Sequence, residues 1–166
     1  MTKPKVFTTL CTDSEKAFGM LCTHIKRTRV EWCNIASFGF YAGVTASGVI
    51  YPKHPCYQLL DALLSKHVST NIYVGIPPNE TEFGDKGTTI VRMHQTVKRF
   101  PNVHFYKTTL HSKMILLNDG YGMFGSMNFT GSSLGDCTLV GYICNCCDTS
   151  IFDFFRRNIA AVGEPL

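Results

Sequence analysis

Apolar positions follow two different periods along this chain, and the two periods alternate. Apolar residues recur at helical spacing in four stretches, which predicts helices at 14–28, 56–67, 88–100 and 149–161. Short apolar runs bounded by Gly, Pro, Asn or Asp predict strands at 6–10, 30–41, 70–76, 103–106, 114–117, 121–124 and 137–147. Because the middle of the chain reads strand–helix–strand–helix–strand, we expect an α/β fold with a mixed, mostly parallel central sheet flanked by helices on both faces.

The organisation along the chain is simple. Its 166 residues are enough for one domain with a sizeable core. No internal repeat, low-complexity segment or interdomain linker is visible. We therefore expect one domain spanning residues 1–166.

Polar side chains with phosphate-binding chemistry flank the hairpin predicted at 114–124. The turn Asn118-Asp119-Gly120 joins its two strands, since Asn, Asp and Gly tolerate the backbone angles of tight turns. His111 and Lys113, two residues apart, precede the first strand, and extended residues at that spacing share a face. Ser126 and Asn128 follow the second strand. The hairpin can thus bring an imidazole, a cation, a hydroxyl and an amide together.

The spacing of these residues resembles the motif of the phospholipase D superfamily: His-x-Lys, four residues, Asp, six residues, Gly-Ser-x-Asn. The matching positions are His111, Lys113, Gly125, Ser126 and Asn128. Asn118 occupies the slot of the motif Asp, and Asp119 follows it. In the family that Asp mainly supports the strand geometry, so the change removes no group that touches phosphate. The alternative, a chance His and Lys on a core hairpin, requires all these spacings to coincide.

The resemblance implies a phospholipase D-like fold and a mechanism without metal or cofactor. His111 would attack phosphorus and form a covalent phosphohistidine, which water then hydrolyses, with Lys113, Ser126 and Asn128 completing the catalytic set. The mechanism also needs a second histidine as general acid. His24-Ile-Lys26 repeats His-x-Lys, but on a predicted helix, where side chains two apart diverge. We therefore expect a homodimer that pairs His111 with its copy.

Several further residues enter as supports or substrate contacts. Asn118, Asp119 and Gly125 would support the motif. Many family members orient the catalytic His with a Glu shortly after Gly-Ser-x-Asn; no Glu occurs there, and Asp136 and Thr138 are the nearest polar residues.

By resemblance the strand at 30–41 runs beside the hairpin, so Ser37 and Phe38 would line the pocket. Residues 42–55 are rich in Gly, Ser, Pro and Thr and predict a loop, either a substrate-facing flap or a plain surface loop. Lys53 and His54 in that loop would suit contact with a phosphate backbone.

Composition narrows the substrate. The net charge of +4 leans toward anionic partners without forming a nucleic-acid-binding tail. Single-motif members that the chain resembles are small endonucleases acting on DNA, which is the substrate we expect. Two alternatives stay open: a phospholipase D-type lipid hydrolase, and a phosphate- or nucleic-acid-binding module without catalysis.

The eight cysteines are irregularly spaced, and core packing explains them better than metal ligation. The N-terminal residues lack the apolar core of a secretory leader, and no stretch approaches the length of a membrane span. These features predict an intracellular protein with reduced thiols and no stable membrane association.

Overall fold

A computed structural model describes residues 8–75, 86–109, 111–131, 136–143 and 150–165. These residues form four α-helices, eight strands and one 3-10 helix, Ala160–Val162. The helices are α1 (Ser14–Arg27), α2 (Pro55–Ser65), α3 (Lys86–Arg99) and α4 (Ser150–Asn158). The strands are β1 (Thr8–Cys11), β2 (Trp32–Ser37), β3 (Ser69–Gly75), β4 (Val103–Thr108), β5 (Met114–Leu117), β6 (Tyr121–Gly125), β7 (Thr138–Tyr142) and β8 (Glu164–Pro165).

The strands form one mixed sheet in the order β1-β7-β6-β5-β2-β3-β4-β8. Strands β2, β3 and β4 are parallel, because α2 and α3 carry the chain back between them. All other neighbours in the described sheet are antiparallel. The mixed sheet is confirmed, but the expectation that it is mostly parallel is corrected. Short turns such as Asn118–Gly120 join neighbours antiparallel, and β1 and β8 add antiparallel edges.

Helices cover both faces of the sheet, as predicted. On one face, side chains of α1, α2 and α3 pack with alternate residues of the strands, Ile35 of β2 and Ile115 of β5 among them. On the other face, α4 packs Phe155 against Ala36 and Met114, whose strand neighbours belong to the first core. Successive side chains of a strand point to opposite faces of the sheet, so each central strand contributes to both cores.

The predicted elements are all present, with bounds shifted by a few residues. The predicted strand 30–41 ends at Ser37, because a loop begins there in which the amide of Gly39 contacts Asn128. The predicted strand 137–147 is observed as Thr138–Tyr142, and residues 144–147 lie outside the described part. Sequence patterns also placed the start of α1 correctly: Asp13 is its N-cap and accepts a hydrogen bond from the amide of Glu15 at 2.7 Å.

Four of the five cysteines that the structure describes are core residues. Cys11, Cys22, Cys33 and Cys56 are buried thiols, and Cys137 is exposed. Burial raises the pKa of Cys33 and Cys56, so both stay protonated. Cys144, Cys146 and Cys147 lie outside the described residues. In the described ranges, no cluster of three His, Cys, Asp or Glu side chains is arranged to hold a metal ion. No helix among them has the length and apolar character needed to cross a membrane.

Candidate active site

The motif residues meet at one end of the central strands. Met114, the first residue of β5, pairs with Ala36 of β2 on one side and with Phe124 of β6 on the other. Continuing the antiparallel register by one residue sets Lys113 opposite Ser37 and Gly125. β5 and β6 therefore form the predicted hairpin. Sheet pairing also brings in β2, which is more than seventy residues earlier in the chain.

Gly125 and Ser126 tie β6 to β7 at this end. A Cβ on Gly125 would lie 2.4 Å from the carbonyl oxygen of Cys137 and 2.6 Å from the Cα of Thr138. Only glycine fits this close approach of two backbones. The amide and hydroxyl of Ser126 contact the Cys137 carbonyl at 2.8 and 3.1 Å, and the Cys137 amide donates to the Ser126 hydroxyl at 2.9 Å. Ser126 therefore closes the sheet with its side chain, while remaining exposed to solvent.

The amide of Asn128 is oriented by the loop after β2. Its Oδ1 accepts a hydrogen bond from the main-chain N–H of Gly39 at 3.1 Å and lies 3.4 Å from the Ser37 hydroxyl. The Ser37 hydroxyl donates to the Gly39 carbonyl and accepts from the Phe129 amide at 2.6 Å. With Oδ1 held inward, the NH₂ end of Asn128 is the end available to an outside acceptor.

His111 and Lys113 face this frame from the segment before β5. The imidazole of His111 stacks on the ring of Phe38, with centroids 3.6 Å apart and planes within 14°. Because Phe38 stands between Ser37 and Gly39, which both contact Asn128, the stack brings His111 to the loop that holds that amide. His111 is exposed, and Lys113 is half-buried. Among the described residues, no carboxylate pairs with Lys113.

The two residues at the hairpin turn have separate roles at the far end of the strands. Asn118, in the slot of the motif Asp, accepts a hydrogen bond at Oδ1 from the amide of Glu31 at 2.8 Å. It thereby joins the end of β5 to the start of β2, as expected of a strand support. Asp119 accepts a 2.6 Å hydrogen bond from Nε2 of His24 and another from the Tyr121 amide at 3.0 Å. Burial would raise the pKa of Asp119, but these hydrogen bonds outweigh burial and lower it.

His54 and Lys53, the two predicted contacts to a phosphate backbone, lie on the loop before α2. His54 caps α2: its Nδ1 accepts from the Cys56 amide at 3.2 Å, so Nε2 carries the proton and donates to the Thr130 carbonyl at 3.1 Å. Burial lowers the pKa of His54, in keeping with a neutral ring. Both nitrogens are thus used within the protein, which argues against the expected phosphate contact. Lys53 is exposed on the same loop.

Neither candidate for orienting His111 by a hydrogen bond makes that contact. Asp136 is half-buried and has no hydrogen bond or ion pair to another described residue. The Thr138 hydroxyl is buried without a hydrogen-bond partner in the described part of the chain. The ring that contacts the imidazole is that of Phe38, which we expected from the sequence to line the pocket as a substrate contact.

Sequence reasoning missed three features of this region. Gly39 was not singled out, although a glycine between aromatic residues in a predicted strand is a signal of close backbone approach. The His24–Asp119 pair joins α1 to the hairpin, and no local pattern connects residues 95 positions apart. The contact of His54 with the carbonyl of Thr130 was also unforeseen, since it depends on where the 42–55 loop folds.

Comparison with known proteins identifies the fold. No family model and no curated protein matches the sequence. Solved structures do match. Nuc from Salmonella typhimurium, a phospholipase D family member, is 14% identical over 99% of both chains, with a TM-score of 0.63. NucT from Helicobacter pylori is 13% identical over 98% of this chain and 100% of its own, with a TM-score of 0.65.

Two larger proteins contain a similar region. TrmBL2, an archaeal chromatin protein with a novel mode of DNA binding, is 10% identical and matches this whole chain over 56% of its own, with a TM-score of 0.56. Polyphosphate kinase from Porphyromonas gingivalis is 12% identical over 92% of this chain and 25% of its own, with a TM-score of 0.58. The chain therefore has the fold of the phospholipase D superfamily. Nuc and NucT match this chain over nearly its whole length and theirs.

Proposed function

We propose that this protein is a metal-independent phosphodiesterase of the phospholipase D superfamily, and that it cleaves DNA as an endonuclease. The proposal is supported by the strand register and the loop contacts, which bring the backbone at His111, Lys113 and Asn128 to one end of the sheet. These residues would supply a solvent-exposed nucleophile, a cation that pairs with no carboxylate of the described residues, and an amide donor oriented by Gly39. The shared fold supports the proposal but does not by itself assign the activity.

Charge is the first requirement of the reaction. A phosphodiester repels nucleophiles because its oxygens carry negative charge, and this charge grows in the transition state. Lys113 would neutralise it as a half-buried cation. The NH₂ group of Asn128 would donate to a phosphate oxygen in a fixed direction, since Gly39 holds the other end of the amide.

Cleavage would proceed in two displacements. In the first, a ring nitrogen of His111 attacks phosphorus, an N–P bond forms, and the P–O bond to the leaving alcohol breaks as that oxygen takes a proton from a second histidine. In the second, water attacks phosphorus and gives its proton to that second histidine. The N–P bond then breaks and returns His111 to its starting state.

The second histidine would come from another copy of the chain. A two-fold axis beside the site would set the partner's His111 on the opposite side of phosphorus from the first. The exposure of His111 at the sheet end is compatible with such a contact. His24, the other His-x-Lys histidine, is not available for this role, because its side chain is 9% exposed and bonded to Asp119.

DNA is the substrate that the charge and the neighbours favour. The net charge of +4 suits a polyanion. Nuc belongs to the phospholipase D family and TrmBL2 binds DNA, and both share this fold. A phospholipid substrate and a binding module without catalysis are the outcomes against which the DNA assignment is tested.

The decisive experiment incubates the purified protein with supercoiled plasmid in excess EDTA, beside His111→Ala and His111→Gln variants. We expect nicking that survives EDTA and disappears in both variants. Quenching wild type and labelled substrate with alkaline detergent should also trap label on His111, and later acid treatment should release that label. Intact plasmid, with release of headgroup from phospholipid vesicles instead, would make the protein a lipid hydrolase. Plasmid binding without cleavage would make it a binding module.

Subunit mixing tests the shared site. Wild-type and His111→Ala chains are unfolded together and refolded at varied ratios. If both histidines serve one site, activity falls as the square of the wild-type fraction. A linear fall would mean that each chain carries a complete site.

A further inference from the structure

We propose that Phe38 is the positioning residue for the nucleophile His111, in place of the hydrogen-bonding carboxylate that the motif leaves unfilled here. This inference rests on the proposed function for its catalytic consequence, although the contact itself is independent of it. The two rings lie 3.6 Å apart between centroids and within 14° of parallel.

His111 needs a positioning contact because its own backbone gives little restraint. Residues 111–113 precede β5 and have no regular secondary structure, because the assigned strand pairing begins only at Met114. The side chain is exposed, and among the described residues its ring has no hydrogen-bond partner. An exposed imidazole in such a segment would sample several rotamers, and most of them would not aim a nitrogen at phosphorus.

Stacking restrains the ring without blocking the reaction. The lone pair that attacks phosphorus lies in the plane of the imidazole, at its edge, whereas Phe38 covers one face. A face-on neighbour therefore fixes the ring plane and leaves both nitrogens free at the edge. At 3.6 Å between centroids the two rings are in van der Waals contact over their faces, so dispersion attraction holds the imidazole plane against Phe38.

Phe38 is itself firmly placed. The residue before it, Ser37, is 2% exposed and accepts the hydrogen bond from the Phe129 amide. The residue after it, Gly39, donates to Oδ1 of Asn128. The loop after β2 therefore orients two groups at once, the amide through its backbone and the imidazole through a ring. A change in this loop would disturb nucleophile and donor together.

Asp136 is the rival for this role, since it is the acidic residue nearest to the usual place of the family's Glu. A carboxylate bonded to the imidazole would fix the tautomer as well as the orientation. Asp136 makes no such bond within the described part of the chain. Stacking on Phe38 fixes the plane of the imidazole but not its tautomer. Variants of Phe38 and Asp136 can therefore distinguish the two residues by experiment.

The test compares Phe38→Leu, Phe38→Tyr and Asp136→Asn with wild type. Leucine keeps apolar bulk but loses the flat ring, whereas tyrosine keeps the ring. We expect Phe38→Leu to lower kcat about ten- to a hundred-fold with little change in KM, because the nucleophile is misaimed while substrate contacts remain. Phe38→Tyr should keep most of the activity. Asp136→Asn should keep wild-type kcat and its pH profile.

The NMR chemical shifts of His111 test the stack even if the protein has no nuclease activity. The carbon-bound ring protons of His111, assigned by their loss in His111→Gln, should resonate upfield in wild type because of the Phe38 ring current. They should move downfield in Phe38→Leu and stay upfield in Phe38→Tyr. If the protein does not cut DNA, the proposed endonuclease function fails while these shifts still decide the stack. Unchanged shifts in Phe38→Leu, or lost activity in Asp136→Asn alone, would overturn the proposal.

Discussion

The main-chain N–H of Gly39 donates a 3.1 Å hydrogen bond to Oδ1 of Asn128, a residue 89 positions later. This bond decides which end of the Asn128 amide faces outward. The oxygen and nitrogen ends of an amide have nearly the same shape, but only the nitrogen end donates hydrogen bonds. Because Gly39 holds the oxygen, the NH₂ group of Asn128 is the end that can donate to a substrate.

Replacing Asn128 with Asp tests this orientation. The carboxylate keeps an acceptor for Gly39 but turns a negative oxygen toward the phosphate, whereas alanine only removes the donor. We expect Asn128→Asp to lower kcat/KM more than Asn128→Ala, with the alanine loss about a hundred-fold. Steady-state cleavage of a labelled oligonucleotide measures both. Equal losses would mean that the NH₂ end does not face the substrate.

Gly125 should tolerate no side chain. Its Cβ would fall 2.4 Å from a backbone oxygen of β7, so Gly125→Ala must push the two strands apart. We expect a loss of about 1–3 kcal/mol in the free energy of unfolding, together with reduced activity, because Ser126 loses its contacts with Cys137. Gly19→Ala is the matched control: no atom outside the local chain lies within 4 Å of that Cβ. Because Gly19 lies on the exposed face of α1, alanine there should stabilise the protein by about 0.5–1 kcal/mol.

Urea denaturation measures both glycine variants. If Gly125→Ala proves as stable as wild type, the strand spacing at the motif is looser than the structure indicates. If Gly19→Ala also destabilises, the loss at Gly125 reflects a general sensitivity to added methyl groups.

The His24–Asp119 pair should contribute to stability and not to catalysis. Asp119→Asn weakens a 2.6 Å charge-assisted hydrogen bond at the hairpin turn, and we expect a cost of about 1–3 kcal/mol with kcat unchanged. Folding lowers the pKa of Asp119, so its stabilisation is present above the unfolded pKa and is lost as pH falls through the lower folded value. The stability difference from wild type should therefore be largest near neutral pH and shrink below about pH 4.

Unfolding titrations of wild type and Asp119→Asn across this pH range check the sign. A difference that grows as the solution becomes acidic would contradict the assignment. A large fall in kcat would mean that the turn communicates with the motif end of the hairpin.

Lys53 should contact the DNA backbone through its charge alone. We expect Lys53→Ala to weaken binding to DNA of any sequence and to reduce the slope of log affinity against log salt by about one. Lys66→Ala is the control, since Lys66 is an exposed lysine at the opposite end of α2. Fluorescence anisotropy at several salt concentrations measures both. The same slope change in both variants would indicate a diffuse effect of net charge rather than a contact.

Local patterns were sufficient for the elements themselves. Helical spacing of Ala17, Phe18, Leu21 and Ile25 identified α1 and its buried face. The spacing from His111 to Asn128 identified the hairpin and the chemistry at its open end. Both signals lie within a few turns or strands of chain, where side-chain periodicity reports burial directly.

The sheet direction could not be read in this way. The alternation of strands and helices indicated a mostly parallel sheet, and β2, β3 and β4 follow that rule. The residues of β5 do not indicate that it pairs antiparallel with β2. The direction of pairing depends on which strands become neighbours in the sheet, not on the sequence of either strand.

The sequence by itself determined which groups the site contains, since the identity and spacing of His111, Lys113, Ser126 and Asn128 follow from the chain alone. Tertiary structure decided how they are held. Phe38 and Gly39 reach the motif across seventy to ninety residues, through the pairing of β2 with β5 and the folding of the loop after β2. A contact at that separation arises from packing the whole sheet. For that reason the residue that stacks on His111 became visible only in the folded chain.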